Sequence, residues 1–477
     1  MINDHDFFEI SKKSNDILDA NNEEAFQSIS KLHVIKHHSS YFSNLKNKKR
    51  NDHTFKKVLN FFKIFFLEKK SIYSKHIKPA DCVIISNIAS YNRNKKFEDI
   101  YFGNLNLLLS NEGISTVKIY RNLTDKASQV LSKSIEFEED IILSKKSYIF
   151  RELIYLIKTI YSFFKLKIFG NYKFIKENFI FSDFLTIPHN LRLRDQICEL
   201  VSKIKPKIII FTFEGHSWER ILINKLRKIS PDTIIAVYQF SGLIKNQNSI
   251  YRKVERQFKP DIIFATGEIT KKIMQKNLND IMIEILGSPK HYRLSKNQHK
   301  LETINEDNFL FVPEGTEYEI YEMLDFCIIA AEEHPKKKFI FRFHPLINVK
   351  SYLTTSSFGE KLKKLKNIII SNQDLNSDIL ISQYVIFRGS SVVFNALLNN
   401  KTPLYLNIDQ IDCNPLYAVF PKKLIINKKN IFKNLEQFKL FEEEKLMLKD
   451  YCMKYFDELN PKIIKKIIKQ GHKNTFN

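Results

Sequence analysis

The chain reads as an α/β protein built from two doubly wound parallel-sheet domains, and three observations carry that reading. Short runs of β-branched and aromatic residues, bounded by turn residues, alternate with segments of helical length and polarity. A polar stretch from His291 to Asn308, rich in Lys, Asn, Gln and Glu, divides the alternation into two series. Residues able to do chemistry fall just after the apolar runs, at the carboxyl ends of parallel strands, where open α/β sheets bind ligands.

Taken in order, residues 1–75 form a basic, helical N-terminal extension. The first domain, 76–290, is expected to hold strands Cys82–Asn87, Ile114–Tyr120, Lys207–Phe213, Thr233–Gln239, Asp261–Ala265 and Met282–Leu286. Their near-continuous apolar character suits parallel strands covered on both faces. Between them lie helical segments such as Trp218–Ile229, which stops at Ser230-Pro231. The second domain, 305–425, repeats the plan with strands Phe309–Val312, Lys338–Phe343, Asn367–Ser371, Tyr384–Phe387 and Leu404–Leu406, and helices Glu317–Glu332 and Ser391–Asn399. A helical segment, 426–477, closes the chain. Two Rossmann-like domains facing across a cleft, with helical additions at both ends, describe the architecture called GT-B.

At 477 residues the chain is too long for one core. A 43% hydrophobic content is that of a globular protein, and no apolar run is long enough to span a bilayer. The polar, acidic N-terminus does not read as a secretory signal. Five scattered cysteines without a CxxC pair point to reduced thiols, a cytoplasmic location and no zinc site. No convincing DxD metal motif appears, and neither a metal nor a cofactor is expected. The formal charge of +23 invites a nucleic-acid partner, but 63 of the 76 basic residues are lysine, whereas bidentate phosphate and base recognition favours arginine. No nucleic acid is expected; an anionic membrane surface fits better. Two stretches, 55–69 and 148–169, mix bulky apolar residues with lysines. Each reads either as a helix lying in a membrane interface or as a core-facing helix with a lysine-rich outer side.

The strand Lys207–Phe213 runs into Glu214-Gly215-His216, where glycine permits a tight turn and leaves a carboxylate at the sheet edge. Glu214 is a candidate general base; the alternative is that it caps the next helix. His216 is a weaker candidate for the same task, and Glu219 is expected to order the turn or pair with Arg220. Gly215, His216 and Gln239 fall on the same, acceptor, side. His344, before Pro345, is placed to neutralise or protonate a departing phosphate. Arg388-Gly389-Ser390-Ser391 offers amides and hydroxyls at a helix start, a phosphate site, or else a serine that caps the helix. Pro313-Glu314-Gly315-Thr316 is a comparable turn, suited to the phosphate or ribose of a nucleotide. Arg342 adds positive charge near His344 or serves a surface partner. The set suits transfer of a sugar from a nucleotide donor.

In Phe213-Glu214-Gly215, His344-Pro345 and Ser390-Ser391, taken in that order, the chain resembles bacterial GT-B glycosyltransferases that use CMP-activated sugars, the sialyl-, polysialyl- and Kdo-transferases of surface carbohydrate assembly. Val312-Pro313-Glu314-Gly315 and Leu286-Gly287-Ser288-Pro289 resemble the same group, over roughly residues 205–410. The resemblance implies an inverting transfer that needs no bound metal. Glu214 would be the base, His344 would assist departure of CMP, and Ser390 and Ser391 would hold its phosphate. A glycan or glycolipid acceptor and attachment to the inner face of the cytoplasmic membrane complete the expectation. One position departs from the family pattern, since Phe213 stands where the first acidic residue belongs. Two other readings stay open: a CDP-glycerol or CDP-ribitol polyolphosphate transferase, and a non-catalytic membrane or nucleic-acid binder on a degenerate transferase fold.

Overall fold

The computed structural model describes residues 4–34, 72–73, 77–88, 97–124, 128–131, 140–245, 248–290, 308–344, 347, 349–355, 358–408, 411–428 and 438–474. The amphipathic stretch 55–69 and Pro345 lie outside them. The chain forms two compact units. One comprises residues 8–240, 248–289 and 457–477; the other comprises 290–456 with 241–247 and the first seven residues.

The larger unit is organised by an eight-stranded sheet in the order β1-β4-β3-β2-β5-β6-β7-β8. Its strands are β1 (Ile72–Tyr73), β2 (Cys82–Ile88), β3 (Thr116–Asn122), β4 (Ile141–Leu143), β5 (Ile208–Thr212), β6 (Ile234–Tyr238), β7 (Ile262–Ala265) and β8 (Met282–Ile285). Only β1, at the edge, is antiparallel. The strands β2, β5, β6 and β7 are buried along their whole length, as strands with helices on both faces must be. Their side chains meet Phe102, Leu105, Leu286 and, from the end of the chain, Ile464 and Ile467 in one core. The N-terminal residues Ile17, Leu18, Phe26 and Leu32 join a second core of this unit with Phe179, Phe184 and Leu191.

The final helix, Pro461–Asn474, is seated by Gly287, at φ +84°, where any Cβ would lie 2.0 Å from the Glu458 carbonyl oxygen. The Ser288 amide donates to the Asp457 carbonyl at 2.8 Å, and the Asn460 amide to that of Leu286 at 2.8 Å. The Leu286-Gly287-Ser288-Pro289 motif is therefore a docking seam for the returning chain. The helical segment expected over 426–477 divides, 426–456 belonging to one unit and 457–477 to the other.

The smaller unit holds an all-parallel six-stranded sheet, β11-β10-β9-β12-β13-β14. These strands are β9 (Asn308–Phe311), β10 (Lys338–Phe341), β11 (Ile368–Ile370), β12 (Tyr384–Phe387), β13 (Thr402–Leu406) and β14 (Ile425–Ile426). Helices Glu317–Glu333 and Val392–Leu398 follow β9 and β12. Phe309, Phe311, Phe339, Phe341 and Phe387 are fully buried, and full burial of one such side chain contributes roughly 1.5–3 kcal/mol.

Each sheet has a place where the strand order reverses. In the larger it lies between β2 and β5, since β3 and β4 continue on one side and β6 to β8 on the other. In the smaller it lies between β9 and β12. Every expected strand is present within a residue or two; β1, β4 and β14 were not foreseen. All five cysteines are buried, and no two of them are joined in a disulfide. Among the described residues no helix is long and apolar enough to cross a membrane.

Candidate functional site

The candidate residues gather at the two reversal points, one group in each unit. In the larger unit β5 ends beside β2 and delivers Glu214 to the sheet's carboxyl edge. Gly215 makes the turn at φ +80°, and a Cβ there would lie 2.2 Å from the Ser249 carbonyl oxygen. That carbonyl is itself held by Arg220 Nη2 at 2.9 Å, and Ser249 Oγ donates to the Glu214 carbonyl at 2.7 Å. Beneath the turn, Glu219 is 1% exposed and accepts the amides of Glu214 (3.1 Å) and His216 (2.8 Å). Capping of the helix Ser217–Ile229 thus falls to Glu219, as a turn-ordering residue, and the Glu214 carboxylate faces His216, whose Nε2 lies 3.3 Å from Oε2.

The electrostatics of this turn suit proton transfer. Burial pushes the Glu219 carboxyl up to about 7, against the opposing pull of His216 and the two amides. Burial disfavours charge on His216, but the bond to Glu214 and the fields of Glu219 and Glu214 outweigh it and hold the imidazole above its ordinary value. Two neighbours were not foreseen. Arg121, at the end of β3, stacks over Trp218 at 4.0 Å, its pKa drawn down to about 10 by burial. Tyr101 is pushed up to about 12, by burial first and by the field of Glu214 second. Neither carries a sequence signal, because β3 and the segment before residue 105 join this turn only through the packing of distant segments. Gln239 follows β6 and is fully buried, its backbone amide bonded to the Phe264 carbonyl at 3.0 Å.

In the smaller unit β9 is flanked by β10 and β12, so three loops converge. Gly315 is pressed against His344: a Cβ would lie 2.9 Å from Nδ1. Gly389 is pressed against Glu314, with a Cβ 2.6 Å from Oε1. Glu314, Gly315, His344 and Gly389 are therefore brought together, and both glycines act by making room. Ser390 and Ser391 follow, half-buried. The Ser390 Oγ accepts the Val392 amide at a long 3.4 Å, while the Ser391 Oγ lies 3.4 Å from Lys290 Nζ. Lys290 is a further residue the sequence did not single out; it follows the Gly-Ser-Pro seam and adds an ammonium beside the serines.

Four of the expected residues make scaffold contacts. Arg388 is 4% exposed and pairs with the buried Glu319 at 3.5 Å, because a guanidinium under a loop needs a counter-charge. Thr316 caps the helix Glu317–Glu333 by accepting the Glu319 amide at 3.4 Å, and Pro313 is buried in the turn. Arg342 donates to Asp378 (2.8 Å) and to the Gln373 carbonyl (2.6 Å).

No family model and no curated protein sequence matches this chain. Solved structures do. A Listeria monocytogenes protein assigned as a UDP-N-acetylglucosamine 2-epimerase matches 81% of this chain and 96% of its own, at 14% identity and a TM-score of 0.50. The Methanocaldococcus jannaschii UDP-GlcNAc 2-epimerase, solved with UDP-GlcNAc and UDP, matches 81% and 98%, at 14% identity and a TM-score of 0.47. The glycosyltransferase of kitacinnamycin matches 82% and 99%, at 8% identity and a TM-score of 0.46. At such identities the likeness concerns fold alone. The fold is GT-B, with two Rossmann-like units.

Proposed function

We propose that the protein is a nucleotide-sugar-dependent glycosyltransferase. The sugar, of sialic acid or Kdo type, would move from a CMP-activated donor to a glycan or lipid-linked acceptor with inversion. The observation that carries this reading is the convergence of His344, Glu314 and two room-making glycines at the reversal point of the smaller sheet. In this reading the phosphate lies against Ser390, Ser391, the Gly389 amide and the Lys290 ammonium. The Glu314 carboxylate is ill suited to an anion and accepts ribose hydroxyls instead. His344 meets the charge that grows on the leaving phosphate as the sugar ionises.

In the larger unit Glu214 takes the proton of the attacking acceptor hydroxyl. His216, bonded to it, orients the carboxylate and relays the proton, while Arg121 offers a cation for an acidic acceptor. CMP as the leaving group rests on the likeness of the Glu-Gly, His-Pro and Ser-Ser motifs to the CMP-sugar enzymes.

Incubation of the purified chain with CMP-sialic acid, CMP-Kdo, CDP-glycerol and UDP-GlcNAc, with nucleotide release as the readout, tests the reading. Release of CMP from a CMP-sugar is expected. Glu214→Gln is expected to lower the rate by about 10²–10⁴-fold with donor affinity retained, and His344→Ala to lower it with an unchanged melting temperature. CMP release from CDP-glycerol would make the protein a polyolphosphate transferase. Release from no donor would leave the binder reading standing.

A further inference from the structure

The helix Ile149–Phe163, with the π-helical turn Phe164–Phe169 that continues it, is mounted inside out. The residues buried are Glu152, Tyr155, Thr159 and Ser162 from the helix and Leu166 from the π-helical turn. Glu152 accepts Arg192 Nε at 2.5 Å, Arg192 Nη2 at 2.9 Å and the Ser147 amide at 2.7 Å. Tyr155 donates to Asp195 at 2.6 Å, and the hydroxyls of Thr159 and Ser162 return to carbonyls of their own helix. The outward face is apolar: Ile149, Leu153 and Phe164 are exposed, Phe150 is 71% exposed, Ile157 65% and Phe169 77%. A surface helix of a globular protein shows the reverse arrangement. Tyr155 and Leu166 still enter the second core of the larger unit, but the outer side is apolar and not the lysine-rich one that a core-facing helix would present.

Charge indicates what covers the face. Between residues 145 and 176 Glu152 is the sole carboxylate, and it is turned inward against Arg192. Lys158, Lys165 and Lys167 border the apolar strip half-buried, Lys165 paired with Glu23 at 2.6 Å and Lys167 donating to the Ile175 carbonyl at 3.2 Å, and Lys173 and Lys176 stand exposed on the next helix, Lys173–Asn178. Glu177 takes part of the Lys173 charge at 3.7 Å. Tyr148 and Tyr161, with apolar rings and polar tips, lie exposed along the strip. An apolar strip with a net cationic border, its own carboxylate turned inward, complements an anionic lipid surface.

We propose that the face formed by residues 149–169 lies flat in the headgroup region of an anionic bilayer, with the bulky side chains inserted and the lysines at the phosphate level. The inference stands on this helix and is independent of the reaction.

Flotation of the full chain with vesicles of phosphatidylcholine alone, or of phosphatidylcholine with phosphatidylglycerol, tests it. The chain is expected to float with the anionic vesicles and much less with the neutral ones. Phe150→Asp with Ile157→Asp is expected to lower partitioning about tenfold or more. Lys158→Glu with Lys173→Glu and Lys176→Glu is expected to abolish the preference for the anionic lipid. Melting temperature and gel filtration establish that the variants fold, and Phe150→Ser with Ile157→Ser probes the same face should the carboxylates prevent folding. Failure of the unaltered chain to float overturns the proposal, as does flotation of the double variant like the unaltered chain. A dimer that the double variant splits into monomers would make the face a protein interface instead.

Discussion

The turn Glu214–Glu219 after β5 and the turn Glu314–Glu319 after β9 share a spacing and a hydrogen bond, yet they are shaped for different neighbours. In both, a Glu-Gly pair leaves the strand and a glutamate five residues on, 1% exposed in each case, accepts the first glutamate's amide, at 3.1 Å in one and 2.9 Å in the other. The glycines differ. Gly215 has a left-handed backbone and faces the backbone of Ser249, whereas Gly315 faces the imidazole of His344. The buried glutamates differ too. Glu319 has Arg388 as counter-charge, while Glu219 meets a second amide and the field of His216. One device, a carboxylate under a strand-to-helix turn, sets a Glu214–His216 pair at the sheet edge in one unit and packs a glycine against His344 in the other.

Replacing each glycine by alanine separates the two turns most sharply. Gly215→Ala adds left-handed strain of about 1–2 kcal/mol to a backbone collision that cannot relax, and loss of the folded larger unit is expected in thermal unfolding. Gly315→Ala meets only a side chain, so a cost of about 1 kcal/mol or less is expected, together with weaker donor binding as His344 is displaced.

The buried glutamates come next. Glu319→Ala removes the counter-charge of buried Arg388 and should cost about 3–5 kcal/mol in chemical denaturation. Glu219→Ala deprives two amides of their acceptor, and about 1–3 kcal/mol is expected. Equal losses would show that the Arg388 pair contributes nothing.

The smallest effect is one of pH. A carboxyl raised to about 7 in the folded state binds its proton more tightly there than in the unfolded chain. Its contribution to stability is complete below the ordinary carboxylate value of about 4.5 and is lost as pH rises through about 7, with a slope of at most about 1.4 kcal/mol per pH unit. His216, also raised, loses its contribution in the same direction. Glu219→Gln is expected to flatten the decline of stability between about pH 5 and pH 7 measured by denaturant titration. An unchanged slope would mean that Glu219 ionises normally.

Much of this was legible in the residues. The long apolar runs announced β2, β5, β6, β9 and β12, because strands buried on both faces are mostly apolar. β4 has three residues between an acidic stretch and Ser144-Lys145, too few for any pattern, and exists because β3 offers an edge. Glu214, His344 and the two serines stood out through their turns. Lys290, Arg121 and Tyr101 did not, since each joins its group through packing between distant segments. The partners of Arg388 and Arg342, Glu319 and Asp378, were not legible, because a sequence shows a charge without its counter-charge.

The segment 149–169 marks the boundary between the two kinds of information. Its sequence determined that a helix forms there with apolar and polar sides, since periodicity fixes the angles between side chains along one helix. Which side faces inward is a rotation about the helix axis, and periodicity says nothing of that. Tertiary structure decided it, because Arg192 and Asp195 on the neighbouring helix Thr186–Ile204 bind Glu152 and Tyr155 and turn the polar side in.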